Sequence, residues 1–217
     1  MDILGKLFGS EAKVRIMRLF LFNPETPFTN EDVAERAKTN LSIARHELSV
    51  LRKMKLIRRK GFVKRVVSKK GKVSKFVRIH TEGWVLNTSF SYFSELQRLL
   101  IDASLLKGAE LVRKLSSSGR LKLLITAGIF IQNSDSRVDL LIVGDHLKRG
   151  SLEHTIRAIE SEMGKELKYA AFETGEFNYR LGMYDKLVRD ILDYPHTVVL
   201  DRLGLPPVIG EGRERSL

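Results

Sequence analysis

Between Leu48 and Thr81 the chain carries thirteen Lys and Arg residues and no Asp or Glu. They are Arg52, Lys53, Lys55, Arg58, Arg59, Lys60, Lys64, Arg65, Lys69, Lys70, Lys72, Lys75 and Arg78. The chemistry open to such a run is electrostatic. Like charges packed this densely repel one another unless solvent or a polyanion takes up the field, and the repeating phosphates of a nucleic acid suit them. Ser42, Arg45, His46 and Ser49 precede and enter the run at three- and four-residue spacing, with Arg52 and Lys53 on the same helical face. Short hydroxyls, a guanidinium and an imidazole can bond to base edges, and the cations can reach phosphates. Other chemistry is poorly supplied. The histidines at 46, 80, 146, 154 and 196 lack ligand spacing. Without cysteine there is no disulfide, thiolate metal site or thiol nucleophile. Neither a phosphate-binding P-loop nor a Gly-x-Ser-x-Gly elbow occurs.

Charge is divided unevenly along the chain. Residues 1–118 hold 24 Lys and Arg against 11 Asp and Glu, a balance of +13; residues 119–217 hold 14 against 15, a balance of −1. The asymmetry points to a polyanion-binding module joined to a module with another task. At 217 residues and 43% apolar composition, each half can bury a core of its own. The longest apolar run, Leu121 to Ile131, is interrupted by Lys122 and is too short to span a bilayer. No signal-peptide layout is visible at the N-terminus, so a cytoplasmic location without a membrane is the expectation.

The elements that must position the basic face are legible as stripes and caps. A first helix is expected from Ser10 to Phe22, with Val14, Met17, Phe20 and Leu21 inward, ended by Asn23-Pro24. A short second helix starts at Thr29, with Glu31 and Asp32 in its first turn, and ends near Lys38. A third follows Asn40 and runs to about Met54, burying Leu41, Ala44, Leu48 and Leu51. Strands over Arg58–Val67 and Val73–Ile79 flank a tip at 68–72. The segment NLSIARHELSVLRKMKLIRRKG resembles the winged-helix transcription regulators of the ArsR-like and related classes, over about residues 8–82. The resemblance implies a helix that reads the major groove and a basic wing on phosphates. One residue departs from it: the turn usually contains Gly, and here it is Lys55, at a cost of about 1 kcal/mol in a left-handed conformation.

Thr88 to Leu115 is again helical in pattern, with a break at Asp102-Ala103-Ser104, where Ser104 caps a second helix. Ser116-Ser117-Ser118-Gly119 reads as a flexible joint. Beyond it, strands are expected up to Gly128, over Val138–Val143, over Leu167–Phe172 and in HTVVLD. Helices are expected over Ser151–Met163 and from Thr174, the latter with a stripe of Phe177, Leu181, Tyr184, Val188 and Ile191. Strands alternating with helices make an α/β domain. The frame DSRVDLLIVGD resembles the minimal nucleotidyltransferases of the polymerase-β-like superfamily, over roughly residues 104–201. That resemblance implies two aspartates on the strand and a third carboxylate on a later strand, together holding two magnesium ions. Gly128 matches the family glycine and Asp139 the second aspartate. Ile129 replaces the phosphate-gripping serine, Arg137 replaces the first aspartate, and Lys168, Tyr169 and Ala170 stand where the third carboxylate belongs. Asp135 is the other acidic position in the frame. Arg137 and Asp139, two apart on a strand, share a side and are placed to pair with each other.

The sequence therefore predicts an α+β winged helix-turn-helix over 1–84, a helical connector over 85–118, a degenerate α/β nucleotidyltransferase-like domain with a small mixed sheet over 119–203, and a loose tail over 204–217. The expected DNA contacts are Ser42, Arg45, His46, Ser49, Arg52, Lys53, Lys64, Arg65, Lys69, Lys70, Lys72 and Lys75. The expected inactive pocket is Gly128, Ile129, Arg137 and Asp139, with no catalytic residue, metal or cofactor. The function expected is that of a transcription regulator on double-stranded DNA, its second domain sensing a small anion, forming a homodimer or docking a protein. The alternatives are an active metal-dependent nucleotidyltransferase and an antitoxin-like partner protein.

Overall fold

The computed structural model describes residues 3–70, 73–101, 108–133 and 135–205, with the side chains of 67–70 and 73–75 left aside. It is a mixed α+β structure with two small sheets. The chain divides into two compact units, Met1–Ser104 with Glu160–Lys165, and Leu105–Ile159 with Glu166–Leu217.

Helices α1 (Ile3–Leu7), α2 (Glu11–Phe22), α3 (Asn30–Arg36) and α4 (Leu41–Lys53) open the first unit. Three of them start where a side chain can satisfy an orphan N–H. Ser10 accepts from Lys13 at 3.1 Å, Asn40 from Ile43 at 2.8 Å, and Thr29 forms a reciprocal capping box with Asp32. Helices α3 and α4 end alike. In α4 the Lys55 N–H returns to the Arg52 carbonyl and Leu56 to Leu51; in α3, Lys38 returns to Glu35 and Thr39 to Ala34. This is the Schellman pattern, and it forces Lys38 to φ 47° and Lys55 to φ 63°. The left-handed turn at Lys55 is therefore present without a glycine. Leu51 and Leu56, both buried, accompany it as the apolar pair such a turn favours.

Strands β1 (Ile57–Lys70) and β2 (Val73–Leu86) form an antiparallel hairpin paired from Ile57↔Leu86 to Lys70↔Val73. Pairing runs further than expected at both ends: the strands take in positions 68–70 of the expected tip, and β2 continues beyond Ile79 to Leu86. Trp84, Val85 and Leu86 are buried, and their burial carries the strand past His80–Gly83, where apolar alternation fades. Gly83 is needed there. A Cβ would stand 2.7 Å from the Phe28 carbonyl oxygen, because Phe28 and Trp84 exchange backbone bonds of 2.9 and 2.8 Å. The core beneath joins Ile16, Met17, Phe20, Val33, Ala44, Leu48 and Leu51 with the base of the hairpin and with Leu100 of α5 (Phe93–Leu100). Arg18, buried, donates to the carbonyls of Leu100 at 3.0 Å and Glu162 at 3.1 Å.

The second unit begins with α6 (Gly108–Leu115); the expected break at Asp102-Ala103-Ser104 lies outside the described residues. Residues 116–118 are not a loose joint. They form a 3-10 turn in which Ser118 is buried and Ser116 and Ser117 bond back to Val112 and Lys114. The sheet contains β3 (Arg120–Thr126), β4 (Leu140–Asp145), β5 (Tyr169–Glu173) and β6 (Thr197–Asp201) in the order β5-β4-β3-β6. Only β4 and β5 are parallel, as their connection through α7 (Arg149–Met163) allows. Leu123, Ile125, Leu141 and Val143 face Phe177, Val188 and Ile191. On the other face, α6 brings Gly108 against Val199. The expected single helix after Thr174 is two, α8 (Thr174–Gly182) and α9 (Lys186–Asp193). Tyr184 sits between them at φ 53°, largely exposed rather than in the stripe, and Asp185 caps α9 through Leu187 and Val188. Thr174 is the first residue of α8, not its cap; Glu173 holds that place. Among the described residues, no helix is long and apolar enough to cross a membrane. The tail from 206 lies outside the described residues.

Candidate nucleic-acid interface

Periodicity splits α4 cleanly. Ala44, Leu48 and Leu51 are buried, while Ser42, Arg45, His46, Ser49, Arg52 and Lys53 are all exposed. The one acid of the helix, Glu47, points inward and pairs with Lys13 of α2 at 3.6 Å, so its charge is spent away from the outer face. Arg45 approaches Glu31 of α3 at 3.9 Å, with both side chains well exposed. A pair this open and this long contributes little and leaves the guanidinium available. The last turn carries Arg52 and Lys53, where cations also oppose the helix dipole.

The tight turn at Lys55 delivers the chain directly from this face into the hairpin. Arg58, Lys60, Arg65 and Arg78 are exposed there and, among the described residues, have no acidic partner. Arg58, Lys60 and Arg78 were not among the expected contacts, although they belong to the same acid-free run; alternation places Arg58 and Lys60 on one face of the hairpin and Arg78 with Arg65 on the other. Lys64 was expected on phosphates. The structure commits it to Asp32, whose Oδ1 accepts from its ammonium. Arg59 likewise stacks over Trp84, 4.2 Å from the ring centroid, and pairs with Glu82 at 3.3 Å. Lys69, Lys70 and Lys75 lie on the paired strands by backbone alone, and Lys72 falls outside the described residues.

Asp32 couples this surface to stability. Burial works to raise its carboxyl, but the bonds from Lys64 and from the backbone and hydroxyl of Thr29 outweigh it and hold the group below the usual carboxylate range. A depressed folded pKa means the stabilisation is complete above the unfolded value and is lost as pH falls through the folded one. Asp32→Asn is therefore expected to flatten the stability profile of the first unit below about pH 4. Asp32→Ala should cost about 1–2 kcal/mol at neutral pH by loss of the box. Denaturant midpoints measured across pH check both.

In the second unit the expected pocket residues are close together but do not build a metal site. Gly128 opens a 3-10 turn at φ 55°, and a Cβ there would stand 2.1 Å from Asp139 Oδ1. Asp139 is 6% exposed; Oδ1 accepts from the Ile129 N–H at 2.9 Å and Oδ2 from the Lys168 N–H at 2.8 Å. Arg137 does not pair with Asp139. It reaches Asp190 of α9 instead: β4 starts only at Leu140, so residues 137–139 do not alternate as a strand, and Asp139 is buried. Asp135 turns into the loop, its N–H on Asn133 Oδ1 at 2.9 Å. Glu173 accepts from the N–H groups of His146 and Leu147, and Glu176 pairs with Arg180. Among the described residues, no group of three or more His, Asp or Glu could hold a metal ion. No family model, no curated protein and no solved structure matches this chain.

Proposed function

We propose that the chain is a DNA-binding transcription regulator of winged helix-turn-helix type, with α4 in the major groove and the β1–β2 hairpin as a wing on the backbone. The observation that carries this reading is the outer face of α4. Ser42, Arg45, His46, Ser49, Arg52 and Lys53 are exposed together, the helix's one acid is turned inward, and the hairpin adds further exposed cations, Arg58 and Lys60 on one face and Arg65 and Arg78 on the other. Hydroxyl, imidazole and guanidinium groups early in the helix suit base edges; the later cations and the wing suit phosphates. The second unit, in this reading, keeps a nucleotidyltransferase-like frame without its chemistry and serves to sense, dimerise or dock a partner. Asp139, the carboxylate an active enzyme would need, is occupied by two backbone donors.

Salt is the test. With about six phosphate contacts, the log–log slope of affinity for duplex DNA against salt is expected near −5. Replacing Lys69, Lys70 and Lys72 together with alanine should flatten it by about two to three units and weaken all sequences alike. Filter-binding or anisotropy titrations across salt measure both slopes. An affinity indifferent to salt removes the reading.

A further inference from the structure

The outer half of the hairpin presents a combination that phosphate binding alone does not require. In an antiparallel ladder, directly paired residues share a face, so Val63↔His80, Arg65↔Arg78 and the pair containing Phe76 lie in a row. Arg65 and Arg78 stand directly across from each other, an arrangement that is unfavourable for like charges. Among the described residues neither has an acidic partner, and the nearest acid along the face, Glu82, is taken by Arg59. Beside them Phe76 is 80% exposed, and Arg65, Phe76 and Arg78 line one shallow depression. Two unneutralised guanidiniums in the rung next to an exposed aromatic ring call for an occupant with phosphates and flat apolar surface together. A nucleic acid has both, and a base step offers a ring-sized slot between phosphates.

We propose that Phe76 is a wedge. It enters a base step of duplex DNA from the minor groove while Arg65 and Arg78 hold the flanking phosphates, so that the bound duplex is kinked. The proposal rests on the DNA-binding reading above and adds a deformation to it. Such wedges kink DNA by about 20–90°. Pyrimidine–purine steps unstack most readily, so the preferred site should carry one under the hairpin.

The test uses the full chain and a duplex recovered by it from a random-sequence pool, end-labelled for energy transfer and carrying 2-aminopurine at one step at a time. Binding should shorten the end-to-end distance and raise 2-aminopurine fluorescence at a single step. Phe76→Ala should abolish both signals while leaving the salt slope unchanged; Phe76→Leu, which keeps an apolar wedge, should restore most of both. Arg65→Ala and Arg78→Ala should each lower the slope by about one. Equal bending by the parent and Phe76→Ala, or a straight bound duplex, overturns the wedge and leaves DNA binding standing. Tighter binding to the single strand than to the duplex also overturns it, as that marks a stacking platform for unpaired bases. No binding to any duplex overturns both readings.

Discussion

Replacing Asp139 with alanine is expected to destabilise the second unit by about 1–3 kcal/mol, because it takes the acceptor from two part-buried N–H donors, those of Ile129 and Lys168. The carboxylate is a fastener. Its two oxygens hold Ile129, just past β3, and Lys168, just before β5, while its own backbone bonds to Ala127 and Lys168. Asp139→Asn keeps one acceptor but turns an amide N–H₂ toward the other donor, so an intermediate loss is expected. Gly128→Ala attacks the same joint from the other side, since its Cβ collides with Oδ1 at a φ that disfavours any side chain. Measurement is helped by the distribution of chromophores. The only tryptophan, Trp84, is buried in the first unit, so its fluorescence reports that unit separately. The midpoint by circular dichroism or tyrosine emission should fall. Unchanged stability in Asp139→Ala would show that the carboxylate does not fasten the sheet.

The local rules that made the first unit legible are those with short reach. Ser10, Thr29 and Asn40 each cap the helix expected of them, because a side-chain oxygen three residues before a free N–H needs no tertiary help. The left-handed turn at Lys55 was expected from the resemblance alone, with lysine arguing against it; the buried Leu51 and Leu56 accompany it in the structure. What was missed depends on partners far away in sequence. Lys64 looks like any other cation of its run until Asp32, thirty-two residues earlier, is brought beside it. The length of β2 depends on Phe28, which bonds to Trp84 and demands Gly83.

In the second unit the stripe through Tyr184 and Val188 continued a helical period across a real break. The break was written in Gly182 and in Asp185, a cap residue, but periodicity alone averages over such punctuation. The Arg137–Asp139 pair failed for a different reason. The strand rule did not apply, because β4 starts only at Leu140 and residues 137–139 lie ahead of it, with Asp139 buried and Arg137 turned to Asp190. The serine-rich 116–118 segment was misread because composition marks a joint, whereas Ser118 is buried and its neighbours bond back to α6.

Arg45→Ala and Ser49→Ala are each expected to narrow the gap between cognate and random DNA by about 1–3 kcal/mol if each bonds a base edge. Both residues lie in the first three turns of α4, where a reading helix meets the bases, and both are exposed. Arg45 has to release Glu31 to reach DNA, but at 3.9 Å between exposed groups that release is nearly free. Glu31→Gln should accordingly tighten binding to cognate and random sequences alike, by removing a repulsive charge next to the backbone. Arg52→Ala and Lys53→Ala, at the far end of the same face, should instead weaken both kinds of DNA equally and reduce the salt slope by about one each. The contrast between these two pairs is the decisive observation, because they share a helix, a face and an exposure, and differ only in which part of a duplex they can reach. Competition binding of selected and random duplexes at fixed salt gives the comparison. If Arg45→Ala and Ser49→Ala keep the parent's preference, α4 holds DNA without reading it, and specificity must reside in the hairpin and in the deformability of the site.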